Sequence, residues 1–270
     1  MHQADLHLHT TASDGVFSPA DVVRFARARG LAAIAITDHD VTDGVEEAQR
    51  AGAGCGLDVL PGVEINTDFG PTEVHILGYC MDLADPEFQR VIAWLRDGRV
   101  ERARQMVTRL VEMGVPISWE RVEEISGPGA MGRPHIAQAL REAGHIETLQ
   151  SAFDLYIGAG GPAYVPRERF DAFEAIAAIR AAGGVAVVAH PGKIHNDSLI
   201  RPLVDAGLGG IEVCHPDHDE AQTARYRRMA DELGLVWTGG SDFHGNNESR
   251  PLAGRTVPVS QVEALRSAAG

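Results

Sequence analysis

Seven stretches of the chain gather apolar residues into short runs that fit strands: ADLHLHT, LAAIAITD, LDVLPGVEI, EVHILGYC, GGVAVVAH, GGIEVCH and LVWTGGSD. Most are preceded or followed by segments with helical spacing, and this alternation predicts an α/β fold built as a βα barrel. The helix after the first strand should open at Ser18, an N-cap residue with Pro19 in the first helical position, and close near Gly30. In FDAFEAIAAIRAAGG, Phe173, Ile176 and Ile179 make one apolar stripe before Gly183, and the chain then enters VAVVAH. That pattern predicts a helix leading into a core strand.

Residues from about 81 to 184 break the rhythm. PEFQRVIAWLRDGRVERARQMVTRLVEMG, RPHIAQALREAG and TLQSAFDLYIG have helical spacing and are separated by turn signals such as Ser126-Gly127-Pro128-Gly129. The expected organisation is a barrel made of residues 1–98 and 166–270, with residues 99–165 inserted as a helical cap over it.

Composition narrows the function classes. With 270 residues, 44% of them apolar and 23% charged, the chain suits one barrel-sized domain with a substantial core. Twenty-four basic against 38 acidic residues give a formal charge of −14, which argues against a surface built for duplex nucleic acid. An anionic ligand would need a locally positive site, which bound divalent cations can supply. Cys55, Cys80 and Cys214 are widely separated and form no CxxC pair, so neither a disulfide framework nor a thiolate zinc site is expected; they read as small buried apolar side chains. No apolar run approaches the roughly 20 residues that span a bilayer, and MHQADLHLHT lacks the regions of a signal peptide. A cytoplasmic location without a membrane partner is the expectation.

The chemistry lies at the ends of the predicted strands. His7 and His9 are two apart on a strand and share a face. Such a pair alone is commonly a surface or core feature, but here the pattern recurs: Asp14 follows the first strand, and His39, Glu64, His75, His190, His215, Asp242 and His244 sit at or near the ends of the others. In a βα barrel those ends converge on one mouth. A mixed imidazole and carboxylate set without thiolates suits Mn, Fe(II) or Zn.

The ordered motifs DLHLHTTASDG, TDHD, GVE, EVHILG, AHPG and SDFH resemble the polymerase and histidinol phosphatase (PHP) family of metallohydrolases. The resemblance implies a distorted seven-stranded βα barrel holding a cluster of up to three metals. His7, His9, Glu64 and Asp242 would hold the first, Glu64, His75 and His190 the second, and Asp14, His39 and His244 the third. The implied cofactors are two to three divalent ions, Mn foremost, with Fe or Zn as alternatives. GRPHIAQAL, AFDLYIG, PAYVPR and IRAAGGVAVVAHPG are similar to one branch, which contains 3',5'-nucleoside bisphosphate phosphatases and 5'-to-3' exoribonucleases. That branch also carries a helical insertion between the fourth and fifth strands.

The resulting expectation is a phosphomonoesterase for the 3'-phosphate of nucleoside 3',5'-bisphosphates that also trims short RNA from its 5' end. A hydroxide bridging two metals beside Glu64 would attack phosphorus in line. His195 and His218 are the candidate general acids. Arg133, His135, Arg167, His215 and Lys193, the one lysine of the chain, are the candidate substrate contacts. Asp38, Asp40 and Glu73 flank ligand positions and could orient imidazole N–H groups or serve as helix caps. A phosphatase for histidinol phosphate and a non-catalytic metal-binding module of the same family are the alternatives. A C–N amidohydrolase is a further one, for which the sole lysine is badly placed as a metal bridge.

Overall fold

The computed structural model describes residues 2–127 and 129–270; Pro128, part of one turn signal noted above, lies outside the described residues. Each of the seven apolar runs contains a strand: β1 (Gln3–Leu8), β2 (Ala33–Ile36), β3 (Asp58–Phe69), β4 (Thr72–Tyr79), β5 (Val185–Val188), β6 (Gly210–Cys214) and β7 (Val236–Gly239). The two-residue β8 (Val257–Pro258) pairs antiparallel with β1, so the sheet has eight strands rather than seven, in the order β7-β6-β5-β4-β3-β2-β1-β8. A two-residue strand has no apolar alternation to read, which is why the pattern missed it.

The sheet curls into a nearly closed barrel. Its seam lies between β7 and β1, where His9 N–H donates to the Phe243 carbonyl at 3.0 Å. Gly240 makes this approach possible, since a Cβ there would lie 2.3 Å from the His7 backbone nitrogen. The buried Asp5 carboxylate locks the seam by accepting from Ser241 N–H (2.9 Å), Ser241 Oγ (2.6 Å) and Ala253 N–H (2.9 Å). The barrel is not uniformly parallel. β3 turns back into β4 as a hairpin, and β4 pairs antiparallel with both β3 and β5. His75 therefore lies near the start of its strand, not its C-terminal end, and the reversal still brings it to the mouth where β3 delivers Glu64.

Helix α1 (Pro19–Ala28) starts where the sequence predicts, with Ser18 Oγ accepting from Asp21 N–H at 3.1 Å. It packs with α2 (Asp43–Cys55) outside β1 to β3. Between β4 and β5 come α3 (Pro86–Glu112), α4 (Trp119–Ser126), α5 (Arg133–Glu142), the short α6 (Leu149–Ala152), a π-helical turn (Phe153–Ile157) and α7 (Ala172–Ala181). The remaining helices are α8 (Ile200–Asp205), α9 (Glu220–Leu233) and α10 (Ser260–Ala268). Helix α3 runs unbroken across position 98 but changes partners along its length. Phe88, Ile92 and Leu95 pack into the core beneath β3 to β6, whereas Ala103, Met106, Val107 and Leu110 join a separate core with Ile136, Leu140 and Ile157. Cys55, Cys80 and Cys214 are free and only partly buried. Among the described residues, no helix is long and apolar enough to cross a membrane.

Candidate metal centre

His7 and His9 flank Leu8, which packs against α1 and α2, and they face the barrel mouth; the register of β1 shifts between Asp5 and Leu8, so Leu6 joins a different core cluster from Leu8, and all four residues are fully buried. Glu64 from β3 stands at the centre of the histidines. One of its oxygens lies 2.8 Å from His75 Nδ1 and 2.9 Å from His190 Nε2, and the other 3.1 Å from His7 Nε2, 3.3 Å from His9 Nε2 and 3.2 Å from His39 Nδ1. Asp242 Oδ1 closes the set at 3.6 Å from His7 Nε2 and 3.3 Å from His9 Nε2. On the outer side, Asp14 lies 3.3 Å from His244 Nε2 and 3.9 Å from His9 Nδ1. All nine residues expected as ligands thus meet at one mouth. His190 (φ 29°) and Asp242 (φ 50°) reach it through left-handed backbone, a conformation that costs of order 1–3 kcal/mol per residue and is typical of functional sites.

Four donor groupings could each hold an ion, with ligand atoms mutually within 4.8 Å: His7, His9, Glu64 and Asp242; His7, Glu212 and His215; His39, Glu64 and His75; and His9, Asp14, His39 and His244. The first matches the sequence expectation. The last contains the expected third set and adds His9. The fit to cations rests on atoms that protein chemistry alone leaves unsatisfied. Both ring nitrogens of His9 and Nδ1 of His39 are buried without a hydrogen-bond partner, a costly arrangement unless another electrophile takes their lone pairs. Burial disfavours charge throughout the cluster, yet His39, His7 and His75 hold the Glu64 carboxyl well below its usual range. Against the same burial, Asp242 and Glu64 push His9 up to about 10, and Glu64 pushes His75 up to about 9. Carboxylates this strongly ionised beside convergent imidazoles are suited to binding divalent cations.

The groups behind these donors fix their orientation. Glu212, inside the apolar run GIEVC of β6, is fully buried, accepts from the backbone N–H of His190 at 2.7 Å and lies 2.9 Å from His7 Nδ1. A proton on His7 Nδ1 leaves the Nε2 lone pair facing Glu64 and Asp242. Sequence reasoning passed over Glu212, although an acid within a buried strand was a signal. Glu73 meets His75 Nε2 at 3.2 Å, as anticipated. Asp38 and Asp40 do not orient imidazoles. Asp38 accepts from Thr10 N–H, Thr10 Oγ and Ser13 Oγ and shapes the turn that carries Asp14, while Asp40 pairs with Arg99 at 2.6 Å and Asn66 at 3.0 Å.

Several of the expected substrate and proton-transfer residues are engaged by other groups of the chain. His218 is buried, with Nδ1 donating to the Val213 carbonyl (2.9 Å) and Nε2 accepting from Gly192 N–H (3.1 Å); burial also lowers its pKa. With both nitrogens engaged by backbone groups it is a strut under the His190 loop. His215 is fully buried, its Nδ1 accepting from Asp217 N–H at 3.1 Å and its Nε2 facing Asp242 Oδ2 at 3.3 Å. It braces Asp242 and lies beside His7 and Glu212. His135 Nδ1 accepts from Gly132 N–H at 2.9 Å and caps α5. His195 is exposed and makes no hydrogen bond to the cluster.

The basic side chains collect in one place. A cavity of about 320 Å³ is lined by Asp14, His39 and His75 and by Arg99, Arg102, Arg133 and Arg167. Arg99 is tied to Asp40, and Arg167 to Asp68 at 2.8 Å. Arg102 donates to the Val165 carbonyl, and burial together with the neighbouring Arg133 lowers its pKa to about 10. Arg133 has no carboxylate partner among the described residues and lies over Phe153 and Tyr164 at 5.6 and 6.0 Å. Lys193 approaches from another side, 3.1 Å from Asp217 and 3.8 Å from Asp242. Arg250, also unmarked by the sequence reading, pairs with the same two carboxylates.

Comparison with known proteins agrees with this geometry. The PHP domain model matches residues 5–93. The chain is 36% identical over 268 residues to a 3',5'-nucleoside bisphosphate phosphatase of Chromobacterium violaceum, covering 97% of this chain and 94% of that one. It is 34% identical to a 5'-3' exoribonuclease of Haemophilus influenzae, covering 89% of each. It is also 34% identical to a phosphoribosyl 1,2-cyclic phosphate 1,2-diphosphodiesterase of Eggerthella lenta, covering 94% and 99%. The solved structure of a protein from Bifidobacterium adolescentis, described as a metal-dependent phosphoesterase, superposes with a TM-score of 0.92 at 34% identity, over 99% of this chain and 96% of that one. With its donor cluster, barrel and full-length likeness to these relatives, the chain belongs to the PHP family of metal-dependent phosphoesterases.

Proposed function

We propose that the protein removes the 3'-phosphate from nucleoside 3',5'-bisphosphates, using two to three divalent ions, preferentially manganese, and that short 5'-phosphorylated RNA is an additional substrate. The observation that carries this reading is the single cavity joining Asp14, His39 and His75 to four arginines. Its donors suit one phosphoryl group, and its guanidinium groups suit a second. Two phosphomonoesters carry about −3 to −4 at neutral pH, and Arg102 and Arg133 are the lining guanidinium groups without a carboxylate partner among the described residues that can meet the second of them.

Bound divalent cations lower the pKa of water and absorb charge on phosphoryl oxygens. The chain's own groups do the rest. Glu64, Asp14 and Asp242 keep the cluster anionic, Glu212 and Glu73 set the imidazole orientations, and Arg133 takes the distal 5'-phosphate. Residues 99–165 serve as a cap whose separate core holds Arg102 and Arg133 above the barrel mouth. Histidinol phosphate is disfavoured because it lacks the second phosphoryl group that Arg102 and Arg133 would meet. A non-catalytic role is disfavoured by the complete donor set.

The test is phosphate release by metal-loaded protein from adenosine 3',5'-bisphosphate, 3'- and 5'-mononucleotides, histidinol phosphate and short 5'-phosphorylated RNA. The bisphosphate should show the highest kcat/KM. A higher value for histidinol phosphate would overturn the assignment.

A further inference from the structure

Two features of the arginine cavity are not explained by phosphate binding. Trp94 on α3 is 41% exposed and lines the cavity. Its ring is steadied by Phe170, with centroids 5.5 Å apart and planes tilted by 49°. One helical turn further on is Gly98, and one turn beyond that is Arg102, so all three lie on the cavity face of the helix. Gly98 sits inside a 27-residue helix, where glycine costs about 1 kcal/mol relative to alanine. Its backbone is not left-handed, and a Cβ built there meets no heavy atom within 4 Å. Neither conformation nor packing therefore calls for glycine; what its missing side chain preserves is open space between an exposed indole and a guanidinium.

We propose that Trp94 is the platform on which the aromatic base of the substrate stacks and that Gly98 keeps the space beside it clear for the nucleoside. The proposal rests on the nucleoside bisphosphate reading and specifies how the site distinguishes a nucleotide from a sugar phosphate of equal charge. Every base offers a π-face, so stacking is tolerant of base identity. The platform selects for the presence of a base and not for a particular one. The arginines, which recognise charge, cannot make that distinction.

Two readouts test it. The first is the ratio of kcat/KM for adenosine 3',5'-bisphosphate over base-free ribose 3,5-bisphosphate, measured with metal-loaded enzyme. Stacking a base contributes about 1–3 kcal/mol, or roughly 5- to 150-fold, so Trp94→Ala should lower this ratio about tenfold or more and Trp94→Phe should retain most of it. Gly98→Leu should lower the same ratio while raising Tm, because leucine is the better helix former. The second readout is calorimetric binding of adenosine 5'-phosphate against ribose 5-phosphate, which needs no turnover and should show the same loss of preference in Trp94→Ala. An unchanged ratio and unchanged binding preference in Trp94→Ala would overturn the platform, even with full phosphatase activity in the wild type. If the wild type releases no phosphate from either bisphosphate yet loses its preference for adenosine 5'-phosphate in Trp94→Ala, the phosphatase reading falls and the base platform stands.

Discussion

Arg133→Ala separates recognition from chemistry. Its guanidinium lines the cavity, has no carboxylate partner among the described residues and is held over Phe153 and Tyr164. Truncating one partner of a buried charged pair costs about 2–5 kcal/mol. Arg133 is only partly buried and Arg99, Arg102 and Arg167 remain to share the anion, so the low end applies. A loss of about 2 kcal/mol corresponds to roughly 30-fold in kcat/KM. The fold should lose at most about 1–2 kcal/mol from the two ring contacts, partly offset by relieving the like charge that helps depress Arg102. The assay compares adenosine 3',5'-bisphosphate with adenosine 3'-phosphate at constant metal loading. The full loss should fall on the bisphosphate, while the monophosphate, already poor for the wild type, should lose little more. Equal losses on both would refute the assignment of Arg133 to the distal phosphate.

Other perturbations probe the cluster itself. Glu64→Gln removes a charge adjoining five histidines; changes behind the ligands typically cost about 10- to 100-fold, so this one should exceed about 100-fold in turnover, and near-normal turnover would place the central carboxylate elsewhere. Glu212→Gln weakens the hold on His7 and should lower metal affinity about 10- to 100-fold, measured by titration with Mn²⁺; unchanged affinity would remove Glu212 from the ligand-orienting set. In the metal-free protein His9 is raised to about 10 and His75 to about 9, so both are protonated at pH 8, whereas a ligating imidazole must be neutral. Cation uptake should therefore release protons and weaken as pH falls. Calorimetry of Mn²⁺ binding in buffers of different ionisation enthalpy should show this release, and identical heats would contradict it.

The convergence of the donor side chains was legible because metal chemistry needs particular residue types and strand alternation sets which face they share. His7 and His9 are the clearest case, and recurrence at successive strand ends made the others readable. The antiparallel β4 was not legible, since apolar alternation in EVHILGYC is the same in either direction. The histidines separated poorly into roles for a related reason. His190 faces Glu64, whereas His215 and His218 each spend a nitrogen on a backbone N–H, and that depends on loop geometry that residue identity does not encode. Glu212 was hidden within a strand that reads as core, and Arg250 among many arginines. Trp94 and Gly98 looked like ordinary helix positions until the cavity showed what they face.

The most direct measurement is phosphate release from adenosine 3',5'-bisphosphate before and after the protein is stripped with chelator and reloaded with Mn²⁺, with bound metal counted in the same samples. Stripped protein should be inactive, and activity should return as two to three equivalents bind the His, Asp and Glu cluster. Undiminished release from protein holding no metal, or no release at full loading, would contradict the proposed function.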